Sequence, residues 1–273
     1  MGIRVGVDNY SYHRLLGEVR VGETVPIEQS WDWTDSIRSA KRSGADVIAL
    51  ETCFIPSPAQ VLPYSTKDDP MVMLSWGHPY GLEYGLSTDA EIDLLSWMDI
   101  ASELICRRMR IVVGHPALHG RLWNRENAGR TVESLRRVTQ RAVELGLELA
   151  LENHADLQAR ELRDLVRSVD SPNLSVCLDP ANAVRVSDDP VEATHILAPY
   201  VRVVHVKDVD LSSPYGLAGP PSVPLGTGSL PVRDILDVVT TNQRDVWLLV
   251  EVAQIEGSDV REEEWITRDV AWV

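Results

Sequence analysis

Short apolar runs alternate along the chain with longer stretches in which apolar residues recur every three to four positions. Eight runs are short and nearly continuous in apolar character: Arg4–Asp8, Asp46–Glu51, Val72–Trp76, Arg110–Gly114, Leu147–Glu152, Leu174–Asp179, Val201–Val206 and Val246–Val252. Most are β-branched, and continuous apolar character predicts parallel strands covered by helices. Helices are predicted between them. Trp33–Ser43 stops at Gly44, Thr88–Arg107 opens on a Thr cap followed by early acids, and Arg125–Leu145 stops at Gly146. Asp156–Ser168, Pro190–Leu197 and Pro231–Thr240 follow, the last two with Pro near the first turn, and an acidic segment from Ile255 to Trp265 closes the ring. Eight strands alternating with helices predict an α/β fold, one (β/α)8 TIM barrel, as a single domain over residues 1–273.

Two places break the rhythm. Phe54–Pro70 holds Pro56, Pro58, Pro63 and Pro70, so the second helix should be short or missing. Leu211–Gly228 is a long Gly/Pro/Ser-rich connection after the seventh strand, and loops of that length in compact domains usually carry function.

Composition narrows the partners. The net charge is -15, which repels phosphate backbones and anionic membranes, so neither nucleic acid nor a membrane is expected. No run approaches the roughly 20 apolar residues of a membrane span. The first residues enter a strand without a signal-peptide pattern, so the expected location is cytoplasmic. Cys53, Cys106 and Cys177 lie far apart, against a disulfide framework or a thiolate zinc site.

Active sites of such barrels lie at the C-terminal strand ends. Glu152, Asp179, His205 and Glu251 fall there on four successive strands, the fifth to the eighth. Three carboxylates brought together without a cation would repel and raise one another's pKa values. One divalent ion resolves this conflict, and three oxygens with one imidazole suit Mn²⁺, Mg²⁺ or Co²⁺ better than a structural Zn²⁺. Strand alternation turns His154 inward with Glu152, and Lys207 inward with His205. Taken singly, an acid at a strand end is usually a cap or a salt bridge, and His154 could equally serve a ligand through a hydrogen bond. For Lys207, pairing with Asp179 or Glu251 competes with substrate contact.

Leu151-Glu152-Asn153-His154, Cys177-Leu178-Asp179-Pro180-Ala181-Asn182, His205-Val206-Lys207-Asp208, Pro224-Leu225-Gly226-Thr227-Gly228-Ser229-Leu230 and Leu249-Val250-Glu251 resemble, in order, the recurring segments of the xylose isomerase-like barrel superfamily, the sugar phosphate isomerase/epimerase group. The resemblance is carried by Leu147–Val252. It implies that Glu152, Asp179, His205 and Glu251 bind one metal, commonly Mn²⁺, with Zn²⁺ also open. It also implies proton abstraction next to the carbonyl of a sugar or oxo-sugar, with the metal as Lewis acid. Glu152 and Glu251 each keep a second oxygen that could act as base, and His154 is the third candidate. Lys207, His115, Trp76, His78 and Asn182 are the expected substrate contacts.

The sequence departs from ketose 3-epimerases after Asp179, where a substrate-binding His segment is missing. His205-Val206-Lys207-Asp208 is closer to keto-sugar and inositol dehydratases, so isomerase and lyase both stay open. The Asn153-His154 pair also resembles catalytic subunits that cleave 3-oxo-C-glycosides together with a small β-rich partner. A related apurinic-site nuclease needs more clustered histidines than the seven present. A non-catalytic sugar-binding or scaffold barrel is the alternative from another class. Trp265, Trp272 and the Leu211–Gly228 loop are suited to a homo- or hetero-oligomeric contact, or to docking on the chain's own barrel.

Overall fold

A computed structural model describes residues 2–20, 23, 31–65, 70–212, 214–216, 219–255 and 261–273. Eight parallel strands close a barrel: β1 (Arg4–Asp8), β2 (Val47–Glu51), β3 (Met71–Ser75), β4 (Arg108–Ile111), β5 (Glu148–Glu152), β6 (Leu174–Leu178), β7 (Val201–Val206) and, after a small hairpin, β10 (Trp247–Val250). Each pairs with its neighbour in sequence and β10 pairs with β1, which leaves no edge.

Why the strands read as continuous apolar runs follows from what each face meets. One face packs outward on the helices. The other fills the barrel axis with Val47, Ala49, Met73, Ala150, Cys177, Val203 and Leu249. The same two-residue period carries on to the C-terminal rim. There Glu51 follows Val47 and Ala49, Glu152 follows Ala150, Asp179 follows Cys177, His205 follows Val203, and Glu251 follows Leu249. The axis is thus apolar at its base and charged at its top.

Helices α1 (Trp33–Ser43), α4 (Arg125–Leu145) and α7 (Pro190–Leu197) occupy the ranges their caps predict. Asp32 and Asp35 form a capping box on α1, and Gly44 and Gly146 end α1 and α4 at φ 80° and 66°. Other boundaries move. Helix α2 (Thr88–Glu103) stops short of Arg107 because the chain must turn into β4 by Arg108. That guanidinium is held by Glu148 at 2.7 Å and lies over the Trp247 ring at 4.6 Å. Helix α5 (Ala159–Val169) starts three residues later than Asp156, which is buried, because Gln158 and Glu161 cap it reciprocally. Helix α8 is Val232–Asn242, and α9 (Glu262–Trp272) runs past Trp265 to the end of the chain; residues 256–260 of the expected closing segment lie outside the described residues.

As the prolines require, short 3-10 turns at Thr52–Phe54 and Pro58–Tyr64 stand where the second helix would be. Two short helices were not expected, α3 (Pro116–Leu122) and α6 (Pro180–Arg185). Each opens on a proline and is capped by a site residue, His115 and Asp179. In the long loop, β8 (Asp208–Val209) pairs antiparallel with β9 (Ser222–Val223). Trp265 and Trp272 pack on the chain's own core: Trp265 Nε1 donates to Asp269 at 2.7 Å, and Arg233 lies 4.2 Å from the Trp272 ring.

Candidate metal centre

Glu152, Asp179, His205 and Glu251 are all buried at the rim of the barrel axis. The donor atoms of Glu152, Asp179 and His205 lie within 4.8 Å of one another. Glu251 joins them through His205, whose Nδ1 is 3.1 Å from Glu251 Oε2 and 3.6 Å from Glu152 Oε1. On the far side of the imidazole, Nε2 is 3.6 Å from Asp8. Among the described residues, neither ring nitrogen of His205 makes a hydrogen bond. Buried polar atoms seldom stay unpaired, and an Nδ1 set against the Glu152 and Glu251 carboxylates suits a bridging cation.

The surroundings fix these groups in place. Asn153, which alternation turns away from the axis, accepts from Asp179 N–H and donates to Asp179 C=O, both at 2.7 Å. Asp179 Oδ1 accepts from the N–H groups of Ala181 and Asn182 at the start of α6. Asn182 Nδ2 donates to Asp179 Oδ2 at 2.6 Å and to Glu152 Oε1 at 3.1 Å. Asn182, expected as a substrate contact, therefore orients two carboxylates as well. Lys207 Nζ lies 2.8 Å from Asp179 Oδ2 and pairs with Glu251 Oε2, the partnership that competes with a substrate role.

Electrostatics favour added positive charge. Burial pushes the Asp179 carboxyl up despite Lys207. Burial also works against the Glu251 carboxylate, but Lys207 and His205 hold it well below the ordinary range. Glu152 is likewise held low by Arg110 against burial. For His205, burial opposes the charged form, yet Cys177, Glu251 and Glu152 raise its pKa well above the ordinary value. A field that draws a proton onto a buried imidazole draws a divalent cation more strongly. The donor set therefore fits a hard divalent ion.

Above the cluster opens a cavity of about 210 Å³, lined by Lys207, His115, His78, Asn182 and His154 among others. Trp76 is a correction: it is fully buried, its Nε1 donates to Asp93 at 2.8 Å, and it stacks under His78 at 5.2 Å instead of lining the cavity. Alternation places it outward, one residue beyond inward Ser75. Burial lowers His154 to about 4, and its Nδ1 has no hydrogen-bond partner among the described residues.

Sequence reasoning missed Glu51, Arg110, Arg20 and Arg185, all of which line the cavity. A signal for Glu51 existed, since Ala49-Leu50-Glu51 on β2 repeats Ala150-Leu151-Glu152 on β5. Burial pushes Glu51 up to about 8. A Cβ on Gly77 would come within 2.7 Å of its Oε2, so glycine there leaves room for the carboxyl.

The model of the family described as xylose isomerase-like TIM barrel matches residues 73–273. The chain belongs to this family. Two curated relatives match shorter stretches. One is an uncharacterized protein, YihM, of Escherichia coli (strain K12), 32% identical over 91 residues, 33% of this chain and 28% of that one. The other is a 3-oxo-isoapionate decarboxylase of Pectobacterium atrosepticum, 30% identical over 119 residues, 43% of each. Both matches span less than half of the relative's length. Among solved structures, a 3-keto-D-glucoside 4-epimerase, YcjR, from E. coli superposes with a TM-score of 0.72 at 13% identity, over 99% of this chain and 98% of that one. That likeness is one of fold. Within the family barrel, no helix among the described residues is long and apolar enough to cross a membrane.

Proposed function

We propose that this chain is a divalent-metal-dependent isomerase, epimerase or lyase that acts at the carbon next to a carbonyl of a sugar or oxo-sugar. The observation that carries this reading is the buried convergence of Glu152, Asp179 and Glu251 on the His205 imidazole, which makes no hydrogen bond among the described residues. These four residues would hold the ion, with Mn²⁺ the best match to the donor set. When bound, it would offset the converging carboxylates and act as a Lewis acid on the carbonyl oxygen.

The protein's own groups divide the proton work. Both Glu152 oxygens are engaged, Oε2 by Arg110 at 2.5 Å and Oε1 by Asn182 at 3.1 Å. That disfavours Glu152 as the base. His154 faces the same cavity in its neutral form and takes the proton on its imidazole. Glu51, whose raised pKa keeps it protonated near neutrality, returns a proton. Lys207 and His78, which line the cavity, donate hydrogen bonds to sugar hydroxyls.

A second reading is favoured by the likeness to the 3-oxo-isoapionate decarboxylase. Here the bond to a carboxyl carbon breaks, CO₂ leaves, and Glu51 supplies the proton to the carbon left behind. Turnover of ketoses, 3-oxo-sugars and 3-oxo sugar acids in D₂O with Mn²⁺ tests both. Deuterium on the carbon beside the carbonyl is expected in either case, and CO₂ release marks the second. Turnover without deuterium on that carbon contradicts proton transfer with solvent-exchanging groups.

A further inference from the structure

A second cleft, of about 450 Å³, opens beside the central cavity between α3, the segment after β5 and the end of α6. Small-molecule pockets run to roughly 300–1,000 Å³. The cavity over the carboxylate cluster, at about 210 Å³, is small by that measure, and the cleft is not. The two adjoin along the chain at three places. His115 lines the central cavity and Pro116 the cleft, His154 lines the central cavity and Ala155 with Asp156 the cleft, and Arg185 lines both. A left-handed turn at Ala155, with φ 57°, stands between His154 and Asp156.

Asp156 is 1% exposed, and among the described residues neither of its carboxyl oxygens makes a hydrogen bond. Its neighbours are committed elsewhere. The Tyr84 hydroxyl, near enough to feel the Asp156 charge, donates to the His115 carbonyl at 3.5 Å. Glu161, which also lines the cleft, accepts from Trp123 Nε1 at 2.7 Å and from the Gln158 N–H at 2.9 Å. The Arg185 guanidinium donates to Asn182 Oδ1 at 3.0 Å. On α3, His119 Nδ1 is buried and also lacks a hydrogen-bond partner among the described residues. Buried polar atoms seldom stay unpaired. Two of them on the walls of one cleft mark a ligand that brings hydrogen-bonding groups of its own.

Burial raises the Asp156 carboxyl to about 7, with nearby N–H groups opposing and the Glu152 charge assisting. Near neutrality such a group both donates and accepts, which matches a hydroxyl. An ammonium ligand suits the cleft less, because the Arg185 cation lines it too.

We propose that the substrate is an oxo-sugar glycoside, whose carbonyl-bearing unit lies in the central cavity while a second, hydroxyl-rich unit fills the cleft and hydrogen-bonds Asp156 and His119. This rests on the reading of the central cavity as a metal-dependent sugar site and names the substrate class it takes.

The experiment is calorimetric titration of the Mn²⁺-loaded full chain with the methyl glycosides and the glucosyl disaccharides of 3-oxo-D-glucose, both anomers of each. At least one disaccharide is expected to bind about tenfold or more tightly than its methyl glycoside, the scale of one or two hydrogen bonds gained. Asp156→Ala removes the carboxyl, and Gly120→Leu fills the cleft from α3, where a Cβ meets nothing within 4 Å. Each should erase most of that preference, while methyl-glycoside affinity and Mn²⁺ stoichiometry hold. Equal binding of disaccharides and methyl glycosides overturns the second unit but leaves the sugar reading standing. A disaccharide preference undiminished in both variants overturns the assignment to this cleft. No binding of any probe to a chain that has taken up Mn²⁺ overturns the sugar reading as well.

Discussion

Arg110 Nε donates to Glu152 Oε2 across 2.5 Å, and the same guanidinium reaches Glu51 Oε1 at 3.3 Å, with all three side chains buried in the barrel. One cation thus spans the cavity floor from β2 to β5. Arg110→Met would leave the buried Glu152 carboxylate without its counter-charge and the buried Glu51 carboxyl without its partner. Loss of one partner of a buried ion pair costs about 3–5 kcal/mol. Urea unfolding should show a destabilisation of that size, partly reversed by Mn²⁺. An unfolding free energy unchanged from the parent contradicts this account.

His154→Ala should retain the metal, since its ring does not belong to the donor cluster. The proposed base would be lost, at a cost of about 10²–10⁴ in rate. Steady-state kinetics alongside elemental analysis separates the two effects. Loss of metal in this variant, or full activity without the imidazole, contradicts the assignment.

Asp156 lies buried behind the β5 rim, and burial raises its carboxyl to about 7 from the ordinary 3.8. The folded chain therefore holds this proton more tightly than the unfolded one. The resulting stabilisation is fully present below about pH 4 and is lost as pH rises through 7, on the order of 4 kcal/mol in all. Asp156→Asn removes the pH-dependent part. Its melting temperature should exceed the parent's at pH 8 and converge with it near pH 4; parallel stability curves would contradict the shift.

Asp208 accepts from the backbone N–H groups of Val209, Gly226, Gly228 and Leu230, folding the Pro224–Leu230 turn against β8. A Cβ on Gly228 would fall 2.2 Å from Asp208 Oδ1. Gly228→Ala should cost about 1–3 kcal/mol through overpacking. Asp208→Ala should cost at least as much, because it leaves buried donors unpaired. Chemical denaturation checks both, and a neutral Gly228→Ala would show that the turn yields freely.

Much of this architecture is legible in the sequence, because continuous apolar strands and strong caps such as Asp32, Gly44 and Gly146 act locally. The strand-end acids are legible for the same reason: a period of two carries Ala150 to Glu152 and Val203 to His205. Arg110 was hidden because it stands within a strand and finds its partners on β2 and β5, which only barrel closure brings beside it. Arg20 and Arg185 were hidden because half-buried arginines on a segment and a short helix carry no periodic signal. Trp76 misled because aromatic character suggests a sugar platform equally well when the ring belongs to the core.

The central claim is that the buried cluster holds one divalent ion, and metal content measures it directly. Protein purified without chelator and equilibrated with Mn²⁺ should carry about one ion per chain by mass spectrometry of the elements. Glu152→Gln, Asp179→Asn and Glu251→Gln should each lose most of it while remaining folded by circular dichroism. A folded parent that takes up no Mn²⁺, Mg²⁺, Co²⁺ or Zn²⁺, or full retention in all three variants, would contradict the account.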